Sequence, residues 1–169
     1  MNEEILNKLY SLVETTSDAA SLTDSLQTAK NSLFKTKNKG IIDEAALHMP
    51  AKFGILLKDA ISASKTDPTN LNQVKSLLDA FTEALSGLEE VSLILAIDPP
   101  QKTISSLSVA LKKSFGQKTI MSLDTDPDIL GGAIVIANGR YLDYSLRKKL
   151  NILFEARKEE LTKLVDENP

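Results

Sequence analysis

The sequence contains no cysteine, which excludes disulfides, thiolate metal sites and cysteine nucleophiles. It contains one histidine, His48, set beside Met49 and Pro50. No recognisable nucleophile motif occurs elsewhere, so a Ser-His-Asp arrangement has nothing to build from. His48 reads as a helix-end or packed histidine. Basic residues are not in excess: Lys and Arg number 20 against 23 Asp and Glu, a formal net charge of −3. Duplex binding depends on clustered cations that displace condensed counterions, so no nucleic-acid partner is expected. The one basic run, Lys35, Lys37 and Lys39, stands in a polar stretch ended by Gly40 and reads as a solvated loop. No apolar run approaches the ~20 residues that span a bilayer. The opening stretch from Met1 to Val13 carries Glu3 and Glu4 and has neither a signal-peptide core nor the Arg-rich character of a transit peptide. The expectation is a chain without direct membrane insertion, reaching a membrane only by docking on something already there.

Other candidate chemistry fails on spacing. Asp124, Asp126 and Asp128 alternate like the start of a calcium loop, but an EF-hand needs glycine sixth and glutamate twelfth, where Ile129 and Val135 stand. Gly131-Gly132 is followed by no Gly-Lys-Ser/Thr and runs into a strand instead of opening a helix, so it is not a phosphate loop. It reads as a bulge, or as a place where another backbone comes close. Glu89 with Glu90 and Glu159 with Glu160 are adjacent solvated charges. Nothing assembles an acid, a base and an electrophile, so no catalytic, cofactor-binding or metal-binding residue is assigned, and no cofactor is expected.

What is present is a folding chain. Hydrophobic residues make up 42% and charged residues 25% of 169, the balance of a globular protein one ordinary domain or two small ones long. Ile5, Leu6, Leu9, Leu12 and Val13 recur at helical spacing, as do Leu22, Leu26, Ala29 and Leu33. Ile41 to His48 reads as a short helical piece ended by Pro50. A further helix carries Phe53, Leu56, Leu57, Ala60 and Ile61. Asp67 and Pro68 suit a helix start at about 68, and Leu71, Val74, Leu78, Phe81, Leu85 and Leu88 then form one seam up to 88. A partner for that seam within this chain is favoured over a separate subunit.

The period changes after Gly87, and Ser86 to Glu90 is the expected border between a helical domain over 1–88 and a mixed α/β domain over 89–169. Val91 to Ile97 reads as a strand stopped by Pro99 and Pro100. A helix with Ile104, Leu107 and Leu111 follows, closed by Phe115 and Gly116. Thr119 to Leu123 is a second strand. Gly132 to Ala137, Asn138-Gly139, and Arg140 to Asp143 form a hairpin, because both turn residues tolerate positive φ. Ser145 caps a long final helix through Leu146, Leu150, Leu153, Leu161 and Leu164. The expected class is α+β: an N-terminal helical bundle, then the order β-α-β-β-β-α.

The run from Asp126 through Asp-Ile-Leu-Gly-Gly, the hairpin, and Leu-Asp-Tyr-Ser-Leu-Arg-Lys-Lys-Leu150 resembles the C-terminal signature of the ATP synthase delta subunit, the oligomycin-sensitivity-conferral protein family. Gly131, Gly132, Asp143, Ser145, Arg147 and Leu150 fall on its matching positions. The resemblance covers about Val91 to Phe154. The N-terminal half departs from the family's usual opening helix, of which Leu9-Tyr10-Ser11-Leu12 is a faint echo, and Tyr144 replaces a common glycine, which a hairpin exit tolerates if φ stays negative. Arg147, in the first turn of a helix, is poorly placed for the dipole and calls for an acidic partner.

The resemblance implies a non-catalytic peripheral-stalk subunit. Its partners would be the alpha subunits of the catalytic head and the b-type stalk subunit, at the cytoplasmic face of a bacterial inner membrane in preference to a mitochondrial matrix or plastid. The seam from Leu71 to Leu88 would then serve the core, and the helix after Ser145 a partner. A self-associating helical scaffold and a small ligand-binding regulatory module are the alternatives.

Overall fold

The structure, a computed structural model, describes residues 3–33, 43, 46–64 and 66–158. The Lys35–Lys39 run, the Glu159-Glu160 pair, Leu161 and Leu164, and most of the helical piece expected at 41–48 lie outside the described residues. Helices α1 (Glu3–Leu12), α2 (Thr16–Leu33), α3 (Ala51–Ser64) and α4 (Leu71–Ser86) come first. Then follow β1 (Glu89–Leu95), α5 (Gln101–Phe115), β2 (Thr119–Thr125), a 3-10 turn (Pro127–Ile129), β3 (Ala133–Ala137), β4 (Arg140–Asp143) and α6 (Leu146–Ala156). The class is α+β, with the order of elements that the periodicity predicts.

Two compact units are formed. One comprises the chain up to Glu90 together with Lys102–Met121; the other comprises Val91–Gln101 and the chain from Ser122 onward. In the first unit the apolar stripes of four helices converge. Leu9 and Val13 near the end of α1, Leu22 and Leu26 of α2, Leu56 and Leu57 of α3, and Val74, Leu78 and Phe81 of α4 are buried in one cluster. Each such side chain contributes roughly 1.5–3 kcal/mol of transfer free energy. The α4 seam therefore finds its partners inside the chain.

Local signals set the helix starts. Thr15 Oγ1 accepts from the Asp18 amide at 3.1 Å while Asp18 Oδ2 accepts from the Thr15 amide at 2.9 Å, a reciprocal box opening α2. α4 begins at Leu71, because Asn70 Oδ1 accepts from the amides of Asn72 and Gln73 at 3.1 and 3.3 Å. Asp67 instead holds the preceding turn, accepting from the amide and hydroxyl of Thr69 at 2.9 and 2.7 Å. In α5 the buried residues are Ser108 and Lys112, while Ile104, Leu107 and Leu111, the apolar residues by which this helix is predicted, are half-buried.

The strands form one sheet in the order β2-β1-β3-β4. β3 runs antiparallel to β1, with Leu95 opposite Ala133, and to β4, with Ala137 opposite Arg140. The Glu89 amide donates to Lys118 O at 2.9 Å and the Asp126 amide to Leu95 O at 2.8 Å. Those two bonds step along β1 and β2 in the same direction, which makes the sheet mixed. Asn138 (φ 50) and Gly139 (φ 72) both take the left-handed conformation, the backbone of a two-residue turn matched to strand twist. On the outer side of β2, Thr15 bridges Met121 in parallel, with the Met121 amide donating to Glu14 O at 3.1 Å.

Candidate docking surfaces

In the second unit the chain leaves β4 and doubles back over the start of β3. The Tyr144 amide donates to Ala133 O at 2.9 Å and the Leu146 amide to Gly131 O at 2.8 Å. Gly132 (φ 77) lies directly beneath: a Cβ there would overlap the Tyr144 carbonyl oxygen and stand 3.4 Å from Ser145 Cα. Only glycine fits, for reasons of both backbone angle and space. Tyr144 itself is not among the residues of positive φ.

Asp143 and Ser145 fix the direction in which α6 departs. Asp143 Oδ1 accepts from the Ser145 amide at 2.8 Å, and Ser145 Oγ accepts from the Lys148 amide at 3.1 Å, capping α6. The Ser145 hydroxyl and then its amide hold the Asp143 carboxyl below its ordinary value, with a further pull from Lys148. Four of the six signature residues, Gly131, Gly132, Asp143 and Ser145, thus meet at one corner. Arg147 and Leu150 lie beyond it on α6, exposed and half-buried respectively. Among the described residues no ion pair reaches Arg147, so the acidic partner expected for it is not supplied there.

No residue of α6 is buried. Leu146, Ile152, Leu153 and Phe154 are 44, 60, 56 and 57% exposed. Leu146, Leu150, Leu153 and Phe154 recur at i, i+4, i+7 and i+8, one face of a helix. Among the described residues Arg147 and Lys149 flank that face and Arg157 and Lys158 follow at the end of α6, while Glu155 lies on the opposite side. An apolar stripe with a cationic border suits an amphipathic helix whose own border is acidic.

A second surface belongs to the first unit. Leu6 and Tyr10 of α1 face Ala80, Glu83 and Ala84 of α4 across a depression of about 480 Å³, with Lys118 at its edge. Ala80 and Ala84 are one turn apart, so their short side chains leave a floor on which another helix can lie close. A larger open depression of about 590 Å³ is lined by Ser64, Thr66, Asn70, Asn72, Gln73 and Ser76 among others. It carries no titratable group and offers no chemistry.

Sequence reasoning misses one residue beside the α1/α4 groove. Lys112 is buried, and its Nζ donates to Tyr10 O at 2.6 Å and Val13 O at 2.7 Å. Burial pushes its pKa down, against the pull of the Glu14 and Asp18 carboxylates. The available signal is Ser108 and Lys112 at i and i+4 within the inward stripe of α5.

Among the described residues no cluster of His, Asp and Glu could hold a metal, and no helix is long and apolar enough to cross a membrane. The family model for the ATP synthase delta (OSCP) subunit matches residues 2–156. The chain belongs to that family. The match takes in the N-terminal helices as well as the signature corner, so the resemblance read from Val91 to Phe154 extends over almost the whole described chain. The ATP synthase subunit delta of Maricaulis maris is 29% identical over 117 residues, 68% of this chain and 65% of that protein. That of Agrobacterium fabrum is 44% identical over 70 residues, 41% of this chain and 36% of that protein. That of Bradyrhizobium diazoefficiens is 41% identical over 80 residues, 47% and 43% of the two chains. The chain therefore spans less than two thirds of the length of these relatives.

Proposed function

We propose that the chain is a non-catalytic peripheral-stalk subunit of a proton-transporting ATP synthase, joining the catalytic head to the b-type stalk helices. Membership of the delta (OSCP) family supports this reading. The observation that carries it is α6, an amphipathic helix that buries none of its residues and is aimed by a corner whose parts sit on the family signature. A b-type helix with an acidic border occupies the apolar stripe of Leu146, Leu150, Leu153 and Phe154. The N-terminal segment of an alpha subunit occupies the groove between α1 and α4. The work is mechanical: two modest contacts on one chain act at high effective concentration, so the joint persists under rotor torque. The protein is peripheral to the membrane, held through its partners at the cytoplasmic face of a bacterial inner membrane.

The test is recovery of partners by the tagged full chain from detergent-solubilised membranes of the source cell. Alpha and b subunits are expected with the unmodified chain. Leu153→Glu should lose the b subunit and keep alpha. Absence of both from the eluate, under conditions that keep the enzyme intact, overturns the proposal. Light scattering of the isolated chain separates it from a scaffold: a stable homodimer abolished by Leu153→Glu would assign the α6 stripe to self-association.

A further inference from the structure

The carbonyls in the last turn of a helix lack intrahelical donors and carry its partial negative charge. α1 has no basic residue in its own last turn to meet them. The cation comes instead from α5, far along the chain, where Lys112 donates to Tyr10 O at 2.6 Å and to Val13 O at 2.7 Å. Both bonds are charge-assisted and shorter than the ~2.9 Å usual for N–H···O. Lys112 is only 8% exposed. Burying a cation is costly unless it is paired, and an apolar side chain would fill this position of α5 without that cost. What an apolar side chain could not do is hold two named carbonyls in place.

Tyr10 links this lock to a surface. Its carbonyl takes one of the two bonds, and it also lines the groove between α1 and α4, together with Leu6. The segment just beyond is tied twice more, by the Thr15–Asp18 box at the start of α2 and by the Met121 amide on Glu14 O. We infer that Lys112 is the positioning residue of the groove: it fixes the last turn of α1, and so sets the distance of the Leu6–Tyr10 wall from α4. The inference rests on the reading of that groove as a helix-binding site.

The experiment uses the full chain, with Lys112→Met to keep the stem and remove the donors. Amide hydrogen exchange is expected to quicken about tenfold or more at Leu9–Val13, a tenfold change corresponding to ~1.4 kcal/mol of local opening, while β3, β4 and α6 keep their rates. Binding of a synthetic peptide of the alpha-subunit N-terminal segment should weaken by a similar factor. Because the chain has no cysteine, Lys112→Cys can be alkylated in denaturant with 2-bromoethylamine and refolded, which returns an amine at the same reach. That product should recover both readouts, whereas a purely space-filling role would let Lys112→Met do as well. Should Lys112→Met not fold, Lys112→Gln takes its place beside the alkylated protein. Ala84→Leu, which fills the groove floor, separates the two ideas. If the peptide binds the unmodified chain and Ala84→Leu blocks it, yet loss of the Lys112 amine changes neither exchange nor affinity, the positioning role is overturned. If the unmodified chain does not bind the peptide, the groove reading falls and the inference with it.

Discussion

α4 and α6 are both amphipathic helices with leucines three and four residues apart, yet they are used in opposite ways. α4 buries Val74, Leu77, Leu78, Phe81 and Leu85 among three other helices of its own unit. α6 buries nothing. The difference teaches that an apolar stripe specifies a demand for a partner without specifying where the partner is. In the first unit the demand is met by α1, α2 and α3, whose apolar residues share one cluster with it. In the second, α6 follows the corner with none of its residues buried, so its stripe is covered by nothing in its own unit.

The comparison is broken most directly by removing one leucine from each helix. Leu78→Ala, at a site that is 0% exposed, should cost about 2–5 kcal/mol through lost burial and the cavity left behind. Leu153→Ala should change stability by no more than about 0.5 kcal/mol. Urea denaturation measures both, and equal losses would mean that α6 is part of a core after all. Next in size is Gly132→Ala, which forces a Cβ against the Tyr144 carbonyl at positive φ and should cost about 1–3 kcal/mol. On the proposed function, its loss should appear in recovery of the proposed b-type partner before recovery of alpha, since α1 and α4 are untouched.

Ser145→Ala removes the cap of α6 and should cost ~1 kcal/mol, seen as faster exchange of the Lys148 amide. The smallest effect sharpens the corner through pH. The Asp143 carboxyl is held below its ordinary value of 3.8 by Ser145, so its contribution is present above that value and is lost as pH falls through the lower folded one. Denaturation midpoints of the unmodified chain and Asp143→Asn should therefore differ at neutral pH and converge below about pH 4. A gap that stays constant down to pH 2 would assign the Asp143 effect to packing.

Much of this architecture is legible in the residues because its signals are local. Asn138-Gly139 can hardly be anything but a tight hairpin, and Ser145 announces a helix because its hydroxyl reaches an amide three residues on. Where two local signals compete, the reading slips: Asp67 and Asn70 are both good capping residues, and the structure uses the second for the helix and the first for the turn before it. Lys112 is harder still. A lysine inside a half-apolar helix reads as solvated until the end of α1, about a hundred residues earlier, is known to bring two carbonyls to its amine. The signature corner is legible only in part, since sequence flags Gly131-Gly132 as a close approach without saying that Tyr144 is what approaches.

The strand bridge between Thr15 and Met121 makes the two edges of the sheet unlike. A foreign extended segment would meet the Glu14–Thr15 link at Met121 of β2. On the far flank it would find only β4, four residues long and bounded by Arg140 and Asp143. So short and charged a border is a poor template for further strands, and the molecule can display its sticky helix without also inviting runaway sheet growth.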